Sequence, residues 1–143
     1  IYPVKSSPLR LAALYSDLGQ VYGHMKEWKN AEEVFIRAGE LCREKGYEKG
    51  QAEICQYLGE IYYCQGKYES ASKTFKRAAG IFISLGEEMS LANVQQYLAF
   101  LALEGKRIEE ALLYQYRVIC LYLKHKQSKE VSESYYLLSN IKT

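Results

Sequence analysis

The stretch Leu18-Gly19-Gln20-Val21-Tyr22 decides the fold, because it returns forty residues later as Leu58-Gly59-Glu60-Ile61-Tyr62. The same interval leads to Leu98-Ala99 followed by Leu101, and then to Leu138-Ser139 followed by Ile141. Outward from that nucleus, Ala31, Ala71 and Ala111 keep the interval, as do Phe35 with Phe75 and Ala38 with Ala78. The register holds without insertion from about Leu11 to the end. A period of this size marks a stack of small supersecondary units.

Inside each unit the apolar positions step by three and four. Leu14, Leu18, Val21 and Tyr22 form one helical stripe, and Ala31, Val34, Phe35, Ala38, Leu41 and Cys42 form a second. A unit is therefore two helices. The polar breaks around residues 25–27, 65–67 and 104–106 are long enough only to fold the chain into an antiparallel hairpin. Gly46 and Gly86 suit the position just past a second helix, where a left-handed residue ends it. Ser7 is placed to cap the first helix with Pro8 at its first position, and Ser90 and Ser128 are the corresponding caps expected later. A mid-helix glycine costs about 1 kcal/mol relative to alanine, so Gly19 and Gly59 imply close approach of a partner helix. Ala31 and Ala71 match them from the other side, and Tyr22, Tyr62, Phe35 and Phe75 fill the flanking volume.

Composition agrees with this reading. The 143 residues are 48% hydrophobic and 25% charged, which fits one domain or one short repeat array. Two prolines and ten glycines supply too few turns for a sandwich or barrel, so the expected class is all-α. A formal charge of +2 argues against the broad positive field that nucleic-acid binding uses. No apolar run has the length of a membrane span, and no signal peptide is legible, so a soluble chain with no membrane partner is expected. The start at Ile1 rather than Met is read as an excised or processed piece. Cys42, Cys55, Cys64 and Cys120 form no CxxC pair and each sits in an apolar or amphipathic stretch. They read as free thiols in a reducing compartment, with the cytoplasm expected.

At these residues the pattern resembles the tetratricopeptide repeat, in a 40-residue form. The first unit supplies Tyr15, Leu18, Gly19, Tyr22, Ala31, Phe35 and Ala38, and the second supplies Cys55, Leu58, Gly59, Tyr62, Ala71, Phe75 and Ala78. The third keeps Leu98, Ala99 and Ala111 but carries Gln95, Ala102, Gln115 and Val118 at the other motif positions. The usual late proline is replaced by Arg43, Ile83 and Leu123, so the second helix can run longer. The resemblance implies a right-handed superhelix of antiparallel helix hairpins. Its expected boundaries are a lead-in over 1–7 and an array over 8–143, with units at about 11–50, 51–90 and 91–130 and the first helix of a fourth at 131–143. Arrays of this repeat length are similar to Pins-type scaffolds, kinesin light chains and the Rap and PlcR regulators.

In that family the first helices of successive units line a groove that holds a peptide or helix. The groove offsets then fall on Ser16, Gln20 and Gly23, on Glu53, Gln56, Glu60 and Tyr63, and on Asn93, Gln96, Phe100 and Leu103. An amide both donates and accepts, so Gln20, Gln56, Asn93 and Gln96 suit a bound backbone, and Tyr63, Phe100 and Leu103 suit side-chain pockets. The plainer reading is a set of solvated polar positions on amphipathic helices. Relatives that clamp chaperone C-terminal carboxylates use cationic groups where this chain has Ser16, Gln20, Tyr57, Asn93 and Tyr97, so that ligand is not expected.

No enzyme is expected. His24 and His125 lie far apart in the register, and no phosphate loop or HExxH stretch is present. His24 and Cys64 share a register position, too small a set for a metal site or a nucleophile pair, so neither metal nor cofactor is expected. Lys124, His125, Lys126 and Lys129 read as a solvated turn. Of 14 tyrosines, Tyr15, Tyr22, Tyr62 and Tyr68 are motif or near-core groups. Tyr57, Tyr63, Tyr97, Tyr114, Tyr116 and Tyr136 are surplus, read either as interface residues or as filling for the third unit. The expected function is a non-enzymatic protein-interaction module that binds a peptide or helix within a larger scaffold. The alternatives are a peptide-sensing domain controlling an effector such as a DNA-binding domain, and self-association through open repeat ends.

Overall fold

The computed structural model describes residues 7–125. Among them the chain forms six helices and no strand: α1 (Pro8–His24), α2 (Trp28–Glu44), α3 (Glu48–Cys64), α4 (Tyr68–Leu85), α5 (Glu88–Glu104) and α6 (Ile108–His125). The starts of α1, α3 and α5 fall forty residues apart, as do those of α2, α4 and α6, so the period of the sequence is a period of structure. The cap expected at Ser128 and the fourth-unit helix expected at 131–143 lie outside the described residues.

Helices end in this chain by a repeated backbone device. After each first helix the chain closes a tight turn: Lys26 N–H donates to Gly23 O, Gly66 N–H to Tyr63 O and Lys106 N–H to Leu103 O, each at 3.0 Å. The turn residue is left-handed each time, with φ of 61° at Lys26, 78° at Gly66 and 60° at Lys106. The next N–H reaches back to the last helical turn, as from Glu27 to Tyr22 O at 2.9 Å, so two otherwise orphaned carbonyls are satisfied. Gly46 and Gly86 take the left-handed position after α2 and α4. At the N-terminal end of α1, Ser7 Oγ accepts from Leu9 N–H at 3.2 Å with Pro8 opening the helix. Ser90 does not cap α5: it lies inside the helix, whose cap is Glu87. The left-handed Gly86 lets the next helix start at Glu88, before the serine is reached.

The described residues divide into two compact units, one ending at Gly86 and the other beginning at Glu87. In the first, α1 pairs with α2, α3 with α4, and α2 also packs on α3. Its main core is Ala12, Ala31, Phe35, Ala38, Cys42, Ile54 and Ile61, with Phe75, Ala78 and Phe82 buried in the second hairpin. The Phe35 and Phe75 rings fill the notches left at Gly19 and Gly59. Burial of one such ring is worth about 2–3 kcal/mol. Tyr62 fixes α3 to α2 by donating from its hydroxyl to Glu32 Oε1 at 3.2 Å.

The stripe expected on α1 is corrected by the structure. Leu14, Leu18 and Val21 are 57%, 40% and 52% exposed, and the core face is instead Ala12, Tyr15, Gly19 and Tyr22. Small residues face inward because α2 lies close, and among the described residues no helix covers the leucine face of α1. Tyr68, expected near the core, is exposed and rests its ring 5.6 Å from that of Tyr63. In the second unit α5 and α6 pair, with Leu98, Ala99, Ala102, Ala111 and Val118 buried. Glu88 at the start of α5 meets Lys124 Nζ at 2.9 Å and His125 Nε2 at 3.3 Å from the end of α6.

Candidate binding site

Helical spacing sets the candidate residues in rows. On α1, Ser16 and Gln20 are one turn apart, and on α3 Glu53, Gln56, Glu60 and Tyr63 step by three and four. All six are half-buried. Between α1 and α3 lies a cleft of about 290 Å³, to which Ser16, Gln20 and Glu53 contribute together with Asp17, Ile54 and Tyr57. Gln56, Glu60 and Tyr63 do not line it. Gly23 sits against Ile61, whose Cδ1 would lie 3.3 Å from an added Cβ.

The cleft is electrostatically one-sided. Asp17 and Glu53 line it, and its described lining contains no Lys, Arg or His. Tyr57 is held by stacking on Phe35, with ring centroids 5.4 Å apart and planes inclined by 12°. Burial, followed by the negative fields of Glu53, Glu60 and Asp17, pushes the Tyr57 hydroxyl up from its ordinary value, so it stays a neutral donor. At the wall, burial and then Glu53 raise the Cys42 thiol, which is therefore a packed group rather than a nucleophile. Burial also raises the Glu60 carboxyl, against an opposing hydrogen bond from Gln56.

In the second unit Asn93, Phe100 and Leu103 are exposed on α5, and Tyr97 meets Phe100 edge-on at 6.3 Å. Gln96 is already engaged: its Nε2 donates to Gln115 Oε1 at 2.9 Å, and Gln115 Nε2 donates back at 3.3 Å. One N–H and one lone pair of the Gln96 amide remain for a ligand. Of the surplus tyrosines, Tyr57 lines the cleft, Tyr114 is half-buried under Arg117 at 5.9 Å, and Tyr116 is exposed. Asp17 was not legible as a site residue, since it lies one position beyond the groove offset. Its only sequence signal was a carboxylate next to Ser16 and about one turn from Gln20.

His24 and Cys64 are both exposed, and among the described residues no three His, Cys, Asp or Glu gather as a metal site. No helix among the described residues is long and apolar enough to cross a membrane.

The tetratricopeptide repeat profile matches residues 10–84, and the chain belongs to that family. The fold of this family mediates protein–protein interaction. Among solved structures, BtubC (BKLC) from P. vanneervenii superposes with a TM-score of 0.78 at 23% identity, over 93% of this chain and 56% of that one. The tetratricopeptide repeat domain of Arabidopsis FLU gives 0.75 at 18% identity, covering 79% and 95%. The Rap conjugation gene regulator of plasmid pLS20, in complex with a Phr peptide, gives 0.73 at 13% identity, covering 95% and 42%. The likeness is one of fold, and this chain spans about half of the first and less than half of the third. No curated protein sequence matches.

Proposed function

We propose that the chain is a non-enzymatic interaction module, acting in the cytoplasm as part of a larger scaffold, that holds a peptide or helix of a partner protein against its first helices. The observation that carries this reading is the cleft between α1 and α3, where residues chosen by groove offset, Ser16, Gln20 and Glu53, meet around one concavity. Glu60, Gln56 and Tyr63 extend the row along α3, and Asn93, Gln96, Phe100 and Leu103 carry the equivalent offsets on α5. Selection from a displayed random-peptide library, followed by isotope-edited NMR of the labelled chain with a selected peptide, tests it. Shifts centred on α1 and α3, and weakened binding by Q20A/Q56A, are expected; binding that leaves those helices unperturbed, or no selected peptide at all, removes the reading.

A peptide-sensing regulatory domain is the second reading, favoured by the fold shared with a regulator solved with its peptide. It requires a change of shape on ligand binding. Small-angle scattering of the chain with and without the selected peptide separates the two, since a plain adaptor keeps its profile. Self-association would draw on the exposed apolar residues Ile108, Leu112, Ile119 and Leu123 of α6. A concentration-independent monomer in light scattering removes it.

A further inference from the structure

We propose that the α1–α3 cleft is the seat of a cationic side chain, so that the partner segment presents an arginine or lysine there. The inference rests on the peptide-binding reading above and adds the chemistry of the occupant. Three features of the cleft converge on it. Asp17 comes from α1 and Glu53 from α3, so carboxylates enter the lining from two helices, and no Lys, Arg or His is part of it. Tyr57 lines the same cleft, with its ring braced on Phe35 and its hydroxyl in the field of Glu53, Glu60 and Asp17. An aromatic ring and two carboxylates lining one cleft suit a guanidinium, which is planar, weakly hydrated and carries several donors. The third is size: about 290 Å³ is room for one long side chain, not for a folded domain edge.

A carboxylate ligand would meet Asp17 and Glu53 as like charges, and a wholly apolar one would desolvate them without a partner. Both alternatives are disfavoured by the same lining. Ser16 and Gln20 in the same lining supply a hydroxyl and an amide for the backbone next to the cationic residue.

The test uses peptides selected from the random library against the whole chain. The expected result is enrichment in arginine or lysine, with affinity reduced roughly tenfold or more by replacing that residue with citrulline or norleucine. The isosteric double variant D17N/E53Q should lose a similar factor while keeping its helical circular dichroism, and affinity should fall as salt is raised. Charge reversal supplies an independent arm: D17K/E53K should reject the parent peptide and accept its arginine-to-glutamate version. Selected peptides that bind α1 and α3 equally well without the cation, or that ignore D17N/E53Q, overturn this inference and leave peptide binding standing. If no peptide binds those helices, the underlying reading fails and the inference with it.

Discussion

The Phe35 ring occupies the space in which a side chain at Gly19 would begin: a Cβ built there would stand 2.6 Å from Phe35 Cε1. The same relation recurs in the second hairpin, where a Cβ at Gly59 would stand 2.6 Å from Phe75 Cε1. In the third the equivalent residues are Ala99 and Gln115, a methyl in place of hydrogen and a slimmer chain in place of the ring. Each of the first two hairpins thus divides one volume between two positions.

Gly19→Ala and Gly59→Ala should each destabilise the chain by about 1–3 kcal/mol, the range for overpacking. Helix propensity would predict the opposite sign, by about 1 kcal/mol. Urea unfolding of each variant decides, and Phe35→Leu should recover part of the loss in the Gly19→Ala background.

Gln115→Phe alone should be destabilising, because it adds a ring opposite Ala99 and breaks the paired amides of Gln96 and Gln115. Adding Ala99→Gly rebuilds the arrangement of the first two hairpins. The double variant should be more stable than Gln115→Phe by about 1–2 kcal/mol, a coupling that a double-mutant cycle measures directly.

Lys26 and Lys106 hold the left-handed turn position that glycine holds at Gly66. A non-glycine residue pays about 1 kcal/mol for that backbone. Lys26→Gly and Lys106→Gly should therefore each raise the thermal midpoint, and Gly66→Lys should lower it, by comparable amounts in calorimetry.

Glu60 carries a pH dependence whose sign follows from its raised folded-state pKa, a consequence mainly of burial. Its ordinary value is 4.5. Below that value the carboxyl is protonated folded and unfolded, and the stability tied to it is fully present. As pH climbs through the raised folded value, the unfolded state releases the proton more readily and that stability is lost. Glu60→Gln should therefore gain on the parent near about pH 7 and lose this advantage below its ordinary value, as read from unfolding curves across pH.

Acidic C-terminal chaperone peptides should not bind. Ser16, Gln20 and Tyr57 stand at clamp offsets, and Asp17 and Glu53 line the same cleft. Titration calorimetry with an acidic pentapeptide should give no heat of binding at micromolar concentration, and a measurable isotherm would refute the charge assignment of the cleft.

Most of the fold was legible because a repeat states each structural requirement several times. Leucine and glycine at 18–19 and 58–59 located both first helices, and Gly46 and Gly86 marked the ends of the second ones correctly. Burial was less legible. Leu14 and Leu18 look like core on hydropathy, yet the inward face of α1 is chosen by how close α2 lies, which favours Ala12 and Gly19. Ser90 carried a cap signal that a glycine turn four residues earlier made unnecessary. At the candidate site, offsets carried from the family reached Ser16, Gln20 and Glu53. Asp17 and the amide pair of Gln96 with Gln115 depend on which side chains face one another between helices, and a single-chain periodicity holds no record of that.

The shared volume at 19 and 35 and at 59 and 75 also bears on descent. A change at either member should first cost stability and be relieved by a change at the other sixteen positions away, so each pair is expected to pass through related chains as a linked choice. Substitution histories at these positions should therefore be correlated within a hairpin and independent between hairpins, and a lone bulky pair or a lone small pair should be rare among natural sequences.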